Sequence, residues 1–382
     1  MSLNTLIYSK LKKNSKNISI EKYISDIQDK VFYIQENDKS TYYKNRIKSL
    51  EEGYKELLEI KEFKPINYVS NQLFYTIGMI IIENKIVYLL DDNNQTIKLN
   101  TSYTKYSLFS GQVVALKGKN LEGLEIIVDE FYTKPVLDTN FSENKIDFDI
   151  KIASGPYYNN NLEPLMKVLE EKKDIIILLG PFITAKDMEE ISDPTEGFKR
   201  ILDMLQKYQR SNISSKIILI LSTEDIFTDL LYPQNSYDIN SDRIYSFSNP
   251  SQFFISDFLF SVTTKDLLLN LYSKEQQNIN SEPKERVANN LVFQNSFYPT
   301  ITDDVVDYNL LSSYLTDTAP NFYIISSKFK PFFKKIGPTY FLNTGFQSKT
   351  EYKQMINIEI KGTNIKVEME AFSEGTELSS KL

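Results

Sequence analysis

The chemistry open to this 382-residue chain is limited from the start, because it contains neither histidine nor cysteine. Without imidazole, Ser–His–Asp and Cys–His nucleophilic arrangements cannot form. Without thiolate there is no disulfide framework and no thiolate zinc site. No Walker A or G-x-G-x-x-G run stands out, and the twelve glycines leave few for a phosphate loop. Carboxylates remain. Asp303, Asp304 and Asp307 are the best local cluster, of the oxygen-ligand type that holds Mg²⁺, although such a run also reads as a solvated loop. Gly155-Pro156 and Gly180-Pro181 read as turn punctuation at strand ends.

The elements that must position these residues fall into three stretches. Residues 1–66 are polar and rich in Lys and Glu. Apolar positions at Ile20, Tyr23, Ile24, Ile27 and Val31 predict a short amphipathic helix, and Ile47, Leu50, Tyr54, Leu57 and Leu58 a second over about Tyr43–Ile60, stopped by Lys64-Pro65. From 67 to 140 the pattern changes to short strands at Phe74–Ile82, Lys85–Leu90, Thr96–Leu99, Gln112–Lys117 and Leu124–Tyr132, with Asn, Asp and Gly between them. Five strands in so short a span fit an OB barrel. Such a barrel serves either oligonucleotides or a protein neighbour, and exposed aromatic rings would mark the first.

From 141 to 382 strands alternate with helical segments. Strands are expected at Asp147–Ala153, Ile175–Leu179, Lys216–Leu221, Phe322–Ile325, Tyr340–Leu342 and Gln354–Ile360, and helices at Leu162–Lys172, Phe198–Tyr208 and Thr264–Tyr272, with a further segment at Phe329–Lys335. Uninterrupted apolar runs such as Ile217–Leu221 suit strands buried on both faces, so a layered α/β domain is expected. The interval 275–290 is polar and reads as a surface loop. The fold class is thus α+β and multi-domain.

A net charge of −7 and a pI near 5.1 disfavour direct holding of a phosphate backbone and favour protein partners. The N-terminal stretch has no long apolar core, and no apolar run approaches a membrane span, so the chain reads as soluble and intracellular. No cofactor is expected.

Several segments, in order, resemble the B (accessory) subunit family of DNA polymerase alpha. Tyr106-Ser107-Leu108-Phe109-Ser110-Gly111-Gln112-Val113-Val114 is similar to Y-S-L-F-P-G-Q-V-V, with Ser110 in place of proline. Ala153-Ser154-Gly155-Pro156-Tyr157 resembles A-C-G-P-Y, and Leu179-Gly180-Pro181-Phe182 with Ala185-Lys186 resembles F-G-P-F-x-x-A-K. Tyr232-Pro233-Gln234 stands beyond Leu221-Ser222-Thr223-Glu224-Asp225, as the family's Y-P-Q stands beyond P-S-L-R-D. Thr263–Leu268, Ser296-Phe297-Tyr298-Pro299 and Leu342-Asn343-Thr344-Gly345 continue the series to about residue 350.

The resemblance implies an OB domain followed by a calcineurin-like phosphoesterase domain without its metal site. Active relatives hold two metals with D-x-H, G-D-x-x-D, G-N-H and G-H-x-H sets, where imidazole serves as neutral metal ligand and proton donor. The corresponding positions here are Ser154-Gly155-Pro156, Gly180-Pro181-Phe182 and Asn343-Thr344-Gly345. No catalytic and no metal-binding residue is therefore expected. Gly111, Gln112, Gly155, Pro156, Gly180, Pro181, Asn343 and Gly345 would be structural.

The implied role is that of a non-catalytic accessory protein in the nucleus. It would bind the C-terminal domain of the polymerase alpha catalytic subunit, and reach primase indirectly and DNA through the complex, with no membrane. Tyr232, Pro233, Gln234, Tyr298 and Pro299 are candidates for a rigid partner-binding edge. The corresponding accessory protein of polymerase delta or epsilon and a single-strand-binding OB protein are the alternatives. The closing Ser380-Lys381-Leu382 matches a peroxisomal address, a small signal beside a resemblance this long.

Overall fold

Five consecutive branched residues, Ile175–Leu179, are all fully buried, with Ile175, Ile177 and Leu179 in one core and Ile176 and Leu178 in another. Alternation on a strand sends successive side chains to opposite faces, so a strand with no polar face must lie between two layers. The computed structural model is built around that requirement. It describes residues 18–23, 38–140, 143, 145–158, 162–189, 191, 193–301, 306–315, 318–346 and 354–371.

The strands, in chain order, begin with β1 (Ile20–Lys22). Then come β2 (Ser70–Glu83), β3 (Ile86–Leu90), β4 (Thr96–Asn100), β5 (Val113–Asn120) and β6 (Glu125–Tyr132), which close a five-stranded barrel in the order β2-β3-β4-β6-β5. β7 (Phe148–Ser154), β8 (Ile175–Leu179), β9 (Lys216–Ile220) and β10 (Ile244–Phe247) run parallel to one another. β11 (Ser251–Ile255), β12 (Phe258–Thr263), β13 (Phe322–Ile325), β14 (Phe332–Ile336) and β15 (Thr339–Asn343) follow, and the hairpin β16 (Gln354–Lys361) and β17 (Asn364–Ala371) ends the series.

Two six-stranded sheets result, ordered β10-β9-β8-β7-β16-β17 and β1-β11-β12-β13-β15-β14. Between them lie Ile150, Ile177 and Ile218 from one sheet and Phe253, Phe260, Phe322 and Ile324 from the other, Phe260 stacking on Phe322 at 4.6 Å. The outer face of the first sheet is covered by α2 (Glu163–Val168) and α3 (Pro194–Ser211) through Leu165, Phe198, Ile201 and Leu205. The outer face of the second is covered by α4 (Leu267–Lys274), α5 (Pro283–Phe293) and α6 (Tyr308–Ser312). The sandwich thus has four layers, helix–sheet–sheet–helix.

The helix preceding the barrel, α1 (Lys39–Leu58), is capped by the Asp38 carboxylate, which accepts from Thr41 N at 3.0 Å. Its buried face, Tyr42, Arg46, Ile47, Leu50 and Tyr54, recurs at helical spacing and packs on the barrel, with Tyr42 reaching the sandwich core. A two-residue pairing of Ser107–Leu108 with Gln276–Gln277 also joins barrel and sandwich.

Two expectations are corrected. The helix over Ile20–Val31 is, in its described part, the strand β1, antiparallel to β11; Ile24, Ile27 and Val31 lie outside the described residues. Ile18 enters the inter-sheet core, and period-two spacing with Ile20 outweighs the helical pattern. The polar interval 275–290 is not a loop throughout. Proline opens α5 at Pro283, and a narrow stripe of Val287, Ala288 and Leu291 buries it.

Candidate functional site

Parallel strands put their carboxyl ends on one rim, where α/β folds commonly bind ligands. Here β7, β8 and β9 end at Ser154, Leu179 and Ile220, and β12, β13 and β15 at Thr263, Ile325 and Asn343. The polar residues on and beyond these ends are turned inward. Ser154, Ser222, Asp225, Asn249, Thr263, Thr264, Ser326, Asn343 and Thr344 are all buried.

Each spends its hydrogen bonds on the fold. The Asn249 amide donates to Gln234 Oε1 at 2.8 Å and Thr264 Oγ1 at 2.7 Å, and its Oδ1 accepts from Thr264 N at 3.1 Å. Thr264 Oγ1 donates to the Leu221 carbonyl at 2.8 Å, tying the ends of β12 and β9 across the two sheets. Ser154 and Thr344 share a short hydroxyl–hydroxyl bond that does the same for β7 and β15. Asn343 Oδ1 accepts from the backbone N–H groups of Ser327 and Gly345 at 3.1 Å each.

The glycines on this rim are set by close approach. A Cβ on Gly155 would lie 1.8 Å from the Pro181 carbonyl oxygen, and one on Gly180 would lie 2.6 Å from Asp225 Oδ2 and 2.8 Å from Ser222 N. Pro156 and Pro181 each follow a cis peptide bond in these turns. Asp225 is a rim carboxylate that joins the Gly180-Pro181 turn to the turn beyond β9. It accepts from the N–H groups of Phe182, of Ile183 at 3.0 Å and of Ser222 at 2.9 Å. Burial pushes it up to about 7, against the opposing pull of those three N–H groups, with Glu224 adding to the rise.

The barrel glycine belongs to a joint instead. Gly111, at φ +100°, presents its carbonyl to Arg46 Nη1 at 2.7 Å, and a Cβ there would meet the Pro299 carbonyl at 2.2 Å. Arg46, 1 % exposed, also donates to the Pro299 carbonyl at 3.0 Å and to Gln294 Oε1 at 2.9 Å. Burial lowers its pKa, the nearby Tyr42 and Tyr43 opposing. Gln112 is buried beside it, accepting from Phe109 N at 3.2 Å.

The expected partner edge is corrected. Tyr232, Pro233, Gln234, Tyr298 and Pro299 are all buried within this chain. Tyr232 OH shares a hydrogen bond with Thr263 Oγ1 at 3.0 Å, Gln234 binds Asn249 and Asp229, and the Tyr298 carbonyl accepts from Tyr42 OH at 3.2 Å. Their rings and amides fill the core because each polar atom finds a partner there. Asp307 caps α6, accepting from Leu310 N at 3.0 Å, while Asp303 and Asp304 lie outside the described residues. Among the described residues no group of three or more acidic side chains is placed to share an ion. Also among them, no helix is long and apolar enough to cross a membrane.

Sequence reading missed Arg46 and Asn249 and saw Asp225 only as part of a motif. The one available signal was a lone arginine in the apolar stripe of α1. Exposed apolar side chains gather elsewhere, at one end of the barrel. Val69, Leu73, Leu121 and Leu124 are 49–74 % exposed, and the pairing of Ser70 with Asn120 puts Val69 beside Leu121.

Residues 150–334 match the family of DNA polymerase alpha/epsilon B subunits. The DNA polymerase alpha B subunit of Rattus norvegicus is 26 % identical over 343 residues, covering 80 % of this chain and 57 % of that protein. The Dictyostelium discoideum protein of the same name is 30 % identical over 222 residues, 53 % of this chain and 34 % of that one. The chain spans about half the length, or less, of these curated relatives. Among solved structures, an archaeal phosphodiesterase aligns over 58 % of this chain at 11 % identity with a TM-score of 0.29, and Vps29 of Cryptosporidium parvum over 60 % at 9 % and 0.29, likenesses too loose to carry a role. Residues 150–334 thus match the alpha/epsilon B subunit family, and most of the sequence is similar to the B subunits of DNA polymerase alpha.

Proposed function

We propose that the chain is a non-catalytic accessory subunit of DNA polymerase alpha–primase, which binds the C-terminal domain of the catalytic subunit and positions it during primer synthesis in the nucleus. The observation that carries this reading is the run of polymerase alpha relatives along 80 % of the chain. The rim supports a positioning role, since its side chains are spent on one another. We read residues 1–66 as a helical N-terminal segment, 67–140 as an OB domain and 141–382 as a phosphoesterase-like domain without metal chemistry, with α1 of the first segment packed against both. The exposed corner of Val69, Leu73, Leu121 and Leu124 suits an apolar protein contact. Primase and DNA would be reached through the complex.

Co-expression with the catalytic subunit's C-terminal domain tests the reading. One species on size exclusion in high salt is expected, because apolar burial is not screened as surface charge is. Separate elution at micromolar concentration would overturn it. The family also includes epsilon proteins, so a polymerase epsilon catalytic subunit is the second partner to try. Purified chain should show no Mn²⁺-stimulated phosphodiesterase turnover.

A further inference from the structure

Three backbone N–H groups from two separate turns converge on Asp225. Phe182 and Ile183, just beyond β8, donate to Oδ1, and Ser222, just beyond β9, donates to Oδ2. We propose that these donors form a pocket for a small planar carboxylate, separable from the side chain that now fills it, with Asp225 as the resident ligand and free formate as a substitute.

The donor residues are also held by bonds that the Asp225 carboxylate does not make, Ser222 through its carbonyl, which accepts from Thr228 Oγ1 at 2.9 Å and from Asp225 N at 3.0 Å. The Phe182 carbonyl accepts from Tyr157 N and Tyr158 N at 3.2 Å each, the Ile183 carbonyl accepts from Ile226 N at 3.1 Å, and Gly180 N donates to the Ile220 carbonyl at 2.8 Å. The wall opposite the carboxylate is Gly180, where a Cβ would stand 2.6 Å from Oδ2. The missing side chain is what gives the second oxygen its room. No cation is bonded to Asp225 among the described residues, so the pocket is made of peptide dipoles, the arrangement by which successive N–H groups bind anions in proteins. Both oxygens are engaged from different directions, which fits a flat two-oxygen ligand better than a spherical ion.

Cutting Asp225 back to alanine removes one carboxylate group, the atoms that formate supplies. Acetate carries a methyl that would collide with the alanine Cβ and serves as the size control. Thermal unfolding of the full chain is measured at pH 8, where Asp225 as well as formate is ionised, in formate, acetate and chloride at matched ionic strength. The expected result is a midpoint for Asp225→Ala several degrees below wild type in chloride, raised in a saturable way by formate, less by acetate and not by chloride, with wild type indifferent to the choice. Equal responses to all three salts, or a formate response as large in wild type, would overturn the proposal. If Asp225→Ala does not fold in chloride, the refolding yield from denaturant is read instead. Recovery in formate supports the pocket, and failure in formate as in chloride sinks it. Asp225→Asn keeps the space filled, so a formate-specific gain in that variant would also count against it.

Discussion

Two places where strands end are used in opposite ways. At the rim of the sandwich the polar side chains point inward and bind one another, so that Thr264 and Ser154 stitch the two sheets together. At the exposed end of the barrel apolar side chains point outward, with Leu124 74 % exposed. The rim is the usual ligand position of an α/β domain, yet here it serves cohesion. The corner of the barrel keeps its apolar side chains in the open instead. A strand end therefore has to be judged by what its side chains are already bonded to.

Substitutions should separate the two places sharply. The largest effect is expected from Gly155→Ala, whose new Cβ has no room beside the Pro181 carbonyl. Soluble yield should collapse, or the unfolding free energy fall by more than about 4 kcal/mol. Near-normal expression would mean that the rim turns yield easily. Arg46→Met, at the joint between the regions, strips three buried acceptors of their charged donor. Denaturant unfolding should report a loss of about 3–5 kcal/mol, and limited proteolysis should begin cutting between barrel and sandwich.

The next effect is a pH dependence of the rim. Because the folded-state value of Asp225 is raised to about 7, its contribution is complete below the ordinary carboxylate range, near 3.9, and is lost as pH rises through 7. Between about pH 8 and pH 5, wild type should gain a few kcal/mol from this group, read as a higher urea midpoint at the acid end. Asp225→Asn should flatten that gain, and an unchanged profile in the variant would assign it to other groups. The smallest change in stability belongs to the barrel corner. Leu124→Ser should cost less than about 0.5 kcal/mol in unfolding and yet weaken the complex with the catalytic subunit's C-terminal domain about tenfold.

Much of this architecture can be read without coordinates. The barrel strands appear close to where β-branched and aromatic residues cluster, and β8 and β9 follow from apolar runs too dense for a one-sided strand. Helix α5 was hidden because its apolar residues, Val287, Ala288, Leu291 and Val292, follow a charged first turn and flank two asparagines. The rim was legible as glycine and proline turns, but the function of Asp225 depends on donors some forty residues away, which no local pattern contains. Tyr232 and Tyr298 misled because an aromatic beside proline reads the same along a sequence whether its hydroxyl meets solvent or Thr263.

The short strand β1 has a consequence in time. Ile20 pairs with Ile255, a separation of 235 residues, and Lys216 Nζ on the other sheet reaches the Ile18 carbonyl at 2.6 Å. At translation rates of about 5–20 residues per second, the beginning of the chain waits roughly 10–50 s on the ribosome before its edge exists. Throughout that interval Ile18 has no core to enter. That edge of the sandwich is closed by a strand made 235 residues earlier than its partner.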